Sequence, residues 1–155
     1  MRLAAKVLTV SDGVIARTRQ DRSGAVLAEL LVAAGFVVEE RRVVADGVDN
    51  VASALRDMAD GFVGLVVTTG GTGFGPRDLT PEGTAAVIDR TAPGMAEAMR
   101  LVNPLGRLSR ATAGTLGRAL ILNTPGSSSG AAECLDAVID VVPHALELLA
   151  GEHPH

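Results

Sequence analysis

The feature that most constrains the fold is the alternation of short β-branched runs with longer stretches of helical periodicity. Four runs predict strands, at residues 4–10, 36–44, 62–69 and 118–123. The third is nearly continuous in apolar residues from 63 to 67, which is typical of a strand covered on both faces. The alternation therefore predicts one α/β domain over residues 1–155, an α/β/α sandwich around a mainly parallel sheet.

Helical stretches separate the predicted strands and carry their own start and stop signals. Ser23 is placed to cap the first helix and Gly35 to end it. Thr80 and Pro81 form an N-cap and N1 pair for a later helix. Pro143 divides the C-terminal helical stretch in two because it removes an N–H donor. Residues 151–155 are predicted to be a frayed tail.

Composition excludes several classes of function. The net charge of −4, the single lysine and an aromatic content of 2% predict no nucleic-acid partner, because phosphates require clustered basic residues and bases require stacking surfaces. The apolar runs are too short to span a membrane. The one cysteine rules out a disulfide framework, and no signal-peptide cleavage site follows the N terminus, so the cytoplasm is the predicted compartment.

Four loops that follow the predicted strands share an unusual composition of small, polar residues. They are SDGVIARTRQDRSG at 11–24, ADG at 45–47, GGTGFGPRDLTPEG at 70–83 and TPGSSSG at 124–130. Glycine allows positive φ and lets a ligand approach backbone N–H groups, and helix N termini favour anions. A single loop of this kind is explained equally well by a tight turn, but four at one edge of a sheet indicate a phosphate or other anion site.

The common nucleotide-binding fingerprints are absent from this sequence. A P-loop needs a lysine after its glycines, and the only lysine, Lys6, lies in the first predicted strand. Gly71 and Gly73 are followed by Pro76, where a dinucleotide-binding fingerprint requires Gly or Ala. A bound nucleotide would therefore be held by another design.

Two aspartates at the carboxyl ends of predicted strands are candidate Mg²⁺ ligands. Asp46 lies in VVADG and Asp78 in GPRDL, and Mg²⁺ is usually held by one or two carboxylates together with substrate phosphates and water. Spacing alone leaves alternatives open: Asp46 is equally placed for a helix N-cap, and Asp78 for a loop cap or a pair with Arg77. Asp12 and Asp21 are weaker candidates, because the long first loop gives them many structural uses.

Other reactive residue types are interpreted as structural or as binding groups. Cys134 lies at helical spacing among apolar residues and is predicted to be a packing thiol. His144 has no ligand-spaced partner and His153 and His155 lie in the tail, so no zinc site is predicted. No triad signal accompanies the serines in the loops, which are interpreted as binding groups.

Taken together, the stretches TVSDG, DRSG, VVADG, TTGGTGFGPRDLTPEG, LSR and LNTPGSSSGAAECL resemble the MoaB/Mog family of molybdenum cofactor biosynthesis proteins. The resemblance runs in order from about residue 6 to residue 151, and GGTGFGPRDLTPE is its most specific part. This chain departs from the pattern of many members in having Ala45-Asp46-Gly47 where they have Pro-Asp-Glu. It also has only SSSG after Pro-Gly, where several members have a loop with asparagine or lysine.

The resemblance implies an activity and a fold. Active members adenylylate molybdopterin: its terminal phosphate attacks the α-phosphorus of ATP with Mg²⁺, giving adenylyl-molybdopterin and pyrophosphate. The family fold is a three-layer α/β/α domain with a mixed sheet, usually a homotrimer, and a hexamer is left open. The product would pass to a molybdenum insertase.

The resemblance also implies roles for individual residues. Asp46 and Asp78 match the two functional aspartates, which we assign to Mg²⁺ coordination and positioning. The substrate-binding assignments are Ser11, Asp12, Gly70, Gly71, Thr72, Gly73, Ser109, Pro125, Gly126 and Ser127. Among these, the backbone of residues 70–73 would hold phosphate and residues 125–127 would line the pterin side.

Two rival functions remain open from the sequence. One is a non-catalytic molybdopterin-binding or scaffold paralogue; the other is a stand-alone relative of the insertase domain. Retention of both Asp46 and Asp78 favours the enzyme, because a binder could lose these carboxylates and keep the glycine loops. A predicted helix carrying Met95, Met99, Leu101 and Val102 fits a subunit interface and a domain core equally well.

Overall fold

The structure is a computed structural model that describes residues 1–152, and a six-stranded sheet forms its centre. The strands are β1 (Ala4–Val10), β2 (Val37–Val44), β3 (Gly64–Thr69), β4 (Arg90–Thr91), β5 (Ala113–Leu116) and β6 (Ala119–Thr124). Their order is β2-β1-β3-β6-β5-β4. The pairs β1–β2, β1–β3 and β3–β6 are parallel, whereas β4–β5 and β5–β6 are antiparallel. The predicted mainly parallel mixed sheet is confirmed.

Seven α-helices and one 3₁₀ helix connect the strands within residues 1–152. They are α1 (Asp12–Ile15), α2 (Arg22–Ala33), α3 (Val48–Ala59), α4 (Thr80–Ala85), α5 (Pro93–Leu101), the 3₁₀ helix (Pro104–Leu108), α6 (Ser128–Asp136) and α7 (Val142–Leu149). The helices α2, α5, α6 and α7 contribute to one hydrophobic core, and α3 contributes to the other.

The central strands send alternate side chains into these two cores. Val7 and Val67 lie in the core with α2 and α6, whereas Leu8 and Val66 lie in the core with α3. All four are at most 1% exposed, as expected of parallel strands covered on both faces. The three-layer α/β/α architecture predicted from the sequence is therefore confirmed.

Some of the predicted helix ends are correct and some are wrong. Gly35 follows α2 with a φ of 91°, and Pro143 lies in the first turn of α7. The two predicted N-caps are wrong, because the hydroxyls of Ser23 and Thr80 bond elsewhere. Asp21 caps α2 by accepting from the Gly24 N–H at 3.1 Å, and α4 begins at Thr80 without a side-chain cap.

The two antiparallel strands, β4 and β5, were not predicted from the sequence. They have only two and four residues, and Gly114 lies within β5. Segments this short carry no measurable hydrophobic period, so only the pairing of β5 with β6 and of β4 with β5 defines them. They extend the parallel part of the sheet at the edge beyond β6.

The predicted frayed tail at 151–155 lies outside the described residues from residue 153 onward. Within them, the N–H groups of Gly151 and Glu152 donate to the carbonyls of Leu148 and Glu147. The helices of residues 1–152 all fall short of the length and apolar character that a membrane crossing requires.

Candidate functional site

The carboxyl ends of the four parallel strands meet at one edge of the sheet. The strand registers align Val10 with Val44 and Thr69 with Thr124, so the following loops begin side by side. A cleft of about 980 Å³ opens among these loops. The predicted site residues that line it are Ser11, Asp46, Gly70, Gly71, Thr72, Gly73, Asp78, Ser109, Pro125, Gly126 and Ser127. Asp12 is outside this lining but contacts Asp46.

The loop after β3 requires glycine at its first two positions. Gly70 has a φ of 102°, and a Cβ there would collide with the carbonyl oxygen of Val10. Gly71 has a φ of 69°, and a Cβ there would collide with Thr80 Oγ1 and lie 3.1 Å from Asp46 Oδ1. These conformations favour glycine and bring the backbone directly beside the Asp46 carboxylate.

Buried hydroxyl and amide groups of β3, β6 and α4 hold this loop in place. Thr80 Oγ1 donates to the Gly70 carbonyl at 2.9 Å, which explains why it does not cap α4. The Asn123 amide donates to the hydroxyls of Thr68 and Thr84, at 3.0 Å each. Since buried polar groups are costly unless they are paired, these bonds fix one arrangement of the strand ends.

Asp46 is bound to the first loop by a reciprocal pair of hydrogen bonds. The Asp12 N–H donates to Asp46 Oδ2 at 2.9 Å, and the Asp46 N–H donates to Asp12 Oδ1 at 3.0 Å. Gly47 is the residue that precedes α3, so the alternative of Asp46 as its N-cap is wrong. Partial burial, followed by the negative charges of Asp12 and Asp78, raises the pKa of Asp46.

Arg77 neutralises Asp12, which is not among the residues that line the cleft. Its Nε and Nη2 donate to the two Asp12 carboxylate oxygens at 3.0 and 3.1 Å, and Nη2 also donates to the Asp46 carbonyl at 3.0 Å. The hydrogen bond from Arg77 lowers the pKa of Asp12. The alternative that Arg77 pairs with Asp78 is therefore wrong, and the substrate contact assigned to Asp12 stays a prediction.

Asp78 lies at the far end of the glycine-rich loop, which curls around its carboxylate. Asp78 Oδ2 accepts from the Gly75 N–H at 2.9 Å, so the alternative of a loop cap is confirmed. A Cβ on Gly73 would lie 3.1 Å from the same oxygen. The negative charge of Asp78 adds a smaller contribution to the raised pKa of Asp46, and both residues line the cleft.

The residues fit the Mg²⁺ expected here. Burial and neighbouring negative charge raise the pKa of Asp46, so a bound cation would favour its ionised form. Among residues 1–152 no three His, Cys, Asp or Glu side chains are grouped to hold a metal. Two carboxylates with the remaining positions left to phosphates and water is the ligand set that Mg²⁺ commonly takes.

The serine hydroxyls predicted as binding groups each accept a local backbone hydrogen bond. Ser11 accepts from the Val14 N–H at 3.2 Å and Ser127 from the Gly130 N–H at 3.1 Å, each at the start of a helix. Ser109 accepts from the Ala111 N–H at 3.2 Å. A hydroxyl that accepts keeps its own proton to donate, so all three can donate to an anion in the cleft.

Four arginines near the cleft were not predicted as site residues. Three of them line it: Arg19 from the first loop, Arg22 from the start of α2 and Arg100 from α5. Arg110 lies behind it and contacts the glycine-rich loop and Glu82. Arg110 could have been predicted from the LSR stretch, in which only Ser109 was assigned a role. Arg22 belongs to DRSG, and nothing in the sequence marks Arg19.

Cys134 lines the cleft as a neutral thiol. Burial, and to a smaller degree the charge of Glu133, raises the pKa of this thiol to about 11. Its Sγ lies 3.5 Å from the Met99 carbonyl oxygen, toward which the S–H points as donor. Because a thiolate is needed for nucleophilic attack, the prediction of a packing thiol agrees with this environment.

Comparison with known proteins gives consistent matches over this chain. A family model described as "Probable molybdopterin binding domain" matches residues 6–144. A molybdopterin adenylyltransferase from Helicobacter pylori is 36% identical over 156 residues, covering 95% of this chain and 88% of that protein.

Solved structures match equally well. The molybdopterin biosynthesis enzyme MoaB from Thermus thermophilus is 44% identical with a TM-score of 0.90, covering 97% of this chain and 98% of that one. The molybdopterin biosynthesis Mog protein from Mycobacterium ulcerans is 40% identical with a TM-score of 0.90, covering 98% and 99%. The similarity thus extends over the sheet and all the loops around the cleft.

Proposed function

Because the chain belongs to the family of probable molybdopterin binding domains, an enzyme family of molybdenum cofactor biosynthesis, we propose that it adenylylates molybdopterin with ATP. In this reaction the terminal phosphate oxygen of molybdopterin forms a bond to the α-phosphorus of ATP. The bond between that phosphorus and the oxygen bridging to the β-phosphorus breaks, and pyrophosphate leaves. The products are adenylyl-molybdopterin and pyrophosphate.

The observation that carries this proposal is the position of two carboxylates against a glycine-rich backbone in one cleft. Asp46 and Asp78 come from different loops, and Gly71 brings the chain beside Asp46 without a side chain in between. Such an arrangement suits phosphates that arrive with a divalent cation. It would be a poor site for free anions, because two negative charges would repel them.

The chain needs no nucleophile of its own, since a phosphate monoester is already largely ionised at neutral pH. Asp46 and Asp78 would hold Mg²⁺, which when bound offsets the mutual repulsion of the two phosphate groups. The fixed carboxylates thereby orient the reacting groups, and neither has to transfer a proton. Arg77 forms an ion pair with Asp12, so the carboxylate beside Asp46 is neutralised by a positive charge.

Further residues bind the two substrates. The backbone of residues 70–73 supports phosphate, and the hydroxyls of Ser11 and Ser109 are free to donate to it. Pro125, Gly126 and Ser127 also line the cleft and would contact the pterin. Arg19 and Arg22 add positive charge to the wall formed by the first loop.

The proposal includes the setting of the enzyme. The chain would act in the cytoplasm as a homotrimer, or as a hexamer built from trimers. It would pass adenylyl-molybdopterin to a molybdenum insertase. An exposed apolar surface on the 3₁₀ helix and the end of α5, with Leu101 at 84% and Leu105 at 72% exposure, supports self-association.

The test is adenylyl transfer with freshly released molybdopterin, Mg²⁺ and α-labelled ATP. Wild type should move label onto the pterin, and Asp46→Asn and Asp78→Asn should slow transfer by roughly a hundredfold or more, the scale for losing a preorganised electrostatic contact. Asparagine keeps the size of the side chain and an oxygen acceptor, so each variant should fold.

The matched control is Asp140→Asn, which changes an exposed aspartate between α6 and α7 that does not line the cleft. It should transfer label at the wild-type rate. Full turnover by Asp78→Asn would contradict the proposal. Tight molybdopterin binding by wild type with no transfer would identify the chain as a non-catalytic binder instead.

A further inference from the structure

Arg110 connects both ends of the segment that carries Asp78. Its Nε donates to the Gly73 carbonyl at 2.8 Å, and its Nη2 donates to the Asp78 carbonyl at 2.5 Å. These two carbonyls bracket residues 73–78. One planar guanidinium therefore fixes the distance between the beginning and the end of the segment.

The same side chain attaches the segment to helix α4. Its Nη1 donates to Glu82 Oε2 at 2.6 Å and its Nη2 to Glu82 Oε1 at 3.3 Å. The Arg110 N–H also donates to the Thr72 carbonyl at 2.9 Å. Arginine is suited to this position because it presents several donors in a rigid fork, which lysine does not.

The segment held by Arg110 is wrapped closely around the Asp78 carboxylate. Oδ2 accepts from the Gly75 N–H, and a Cβ on Gly75 would lie only 2.8 Å from that oxygen. The direction of the carboxylate thus depends on the curl of the loop. Arg110 itself is not among the residues that line the cleft, so it acts on the ligand only through this loop.

We propose that Arg110 is a positioning residue, which fixes the curl of residues 73–78 and so aims the Asp78 carboxylate into the cleft. Its effect on turnover rests on the proposed function. Its effect on the loop does not, because the hydrogen bonds that define the curl are formed by the chain alone.

Hydrogen–deuterium exchange of the substrate-free protein tests the positioning directly. In Arg110→Gln, the amides of Gly75 and Asp78 should exchange roughly tenfold faster or more, the factor expected from losing a hydrogen bond to a charged group. Strand β3 should exchange as in wild type. Arg110→Lys should not restore protection, since one ammonium cannot reach both carbonyls and Glu82.

The matched control is Arg107→Gln, which removes an arginine in the 3₁₀ helix whose Nε donates to the Pro104 carbonyl. Its exchange pattern should equal that of wild type. Glu82→Gln keeps the arginine and weakens its anchor, so it should loosen the same loop to a smaller degree. This second variant keeps the test decisive if Arg110→Gln folds poorly.

Transfer kinetics complete the test. Arg110→Gln should lower kcat and raise the Mg²⁺ concentration needed for half-maximal rate, with KM for molybdopterin nearly unchanged. Wild-type loop protection in the variant, or equal acceleration in β3, would overturn the positioning role. If wild type itself transfers no label, the proposed function fails, and the exchange result still decides the role of Arg110.

Discussion

At the scale of single residues, the site is defined by which charges are matched. Arg77 forms an ion pair with Asp12, and Arg110 forms one with Glu82. Asp46 has no such partner among the ion pairs of residues 1–152, and burial and neighbouring negative charge raise its pKa. Asp46 and Asp78 could be predicted as candidate Mg²⁺ ligands because each lies in a loop that follows a strand. The partner of Arg77 could not, because Asp12 is 65 positions away in the chain and only the fold brings them together.

The Glu82–Arg110 pair predicts a pH-dependent contribution to stability. The hydrogen bond from Arg110 lowers the pKa of Glu82 from its ordinary value of 4.5. Ionised Glu82 therefore stabilises the fold above that value, and the contribution is lost as the pH falls through the lowered pKa. Glu82→Gln should reduce the free energy of unfolding at neutral pH by less than about 1 kcal/mol, since the pair is partly exposed.

Urea denaturation at neutral and at acid pH measures this contribution. The two proteins should differ at neutral pH and converge once Glu82 is protonated in the folded wild type. A difference that persists unchanged in acid would mean that the substitution acts through packing and that the ion pair contributes nothing.

Cys134 is predicted to be unreactive and dispensable for transfer. Because its pKa is raised to about 11, the thiol stays protonated at neutral pH and should react slowly with iodoacetamide. The rate of alkylation should keep rising with pH up to about 11. Cys134→Ala should retain adenylyl transfer, and fast labelling at neutral pH would show that the thiol environment is different from the one described.

At the scale of helices and strands, an element could be predicted from the sequence when it was long enough to show a clear hydrophobic period. The long helices and the four parallel strands have clear periods and were predicted. The caps at Ser23 and Thr80 were wrong because neighbouring strands and loops compete for the same hydroxyls: the hydroxyls of Ser23 and Thr69 bond to each other, and Thr80 donates to the Gly70 carbonyl. A capping preference is a local tendency that tertiary hydrogen bonds override.

Two helical glycines provide a matched test of how α4 packs. A Cβ on Gly83 would lie 2.6 Å from the Val51 side chain and 2.9 Å from the Val48 carbonyl, whereas Gly94 in α5 has nothing within 4 Å. Gly83→Ala should destabilise by about 1–3 kcal/mol through overpacking against α3. Gly94→Ala should be neutral or stabilise by up to about 1 kcal/mol, since alanine reduces the freedom of the unfolded chain.

Thermal unfolding of both variants measures the difference. Gly83→Ala should also slow adenylyl transfer, because a shift of α4 moves Glu82 and the loop that Arg110 holds. Equal stability of the two alanine variants would mean that the contact between α3 and α4 gives way without cost.

At the scale of the whole molecule, the alternating pattern determined the three-layer architecture and the edge of the sheet where the loops meet. The pattern left open whether the helix that carries Met99 and Leu101 belongs to the core or to a subunit interface. In the structure these two residues differ in exposure. Met99 is buried, whereas Leu101 is 84% exposed. One period of apolar residues cannot separate these roles, since both faces require the same residue types.

Self-association is the prediction at this scale. If the exposed surface around Leu101 is a subunit contact, sedimentation should give a trimer for wild type and a smaller species for Leu101→Glu. The control is Val32→Glu on α2, a residue that is 61% exposed and lies elsewhere in the sequence. A monomeric wild type, or a Leu101→Glu protein that stays trimeric, would exclude this surface as the contact.

The central claim is that Asp46 and Asp78 together hold the divalent cation that brings ATP into the cleft. Anomalous diffraction from crystals grown with Mn²⁺ and α,β-methylene ATP, which resists cleavage at that position, tests it most directly. We expect a manganese peak bound by both carboxylates and by phosphate oxygens beside Gly71. A nucleotide in the cleft whose manganese touches neither Asp46 nor Asp78 would contradict it.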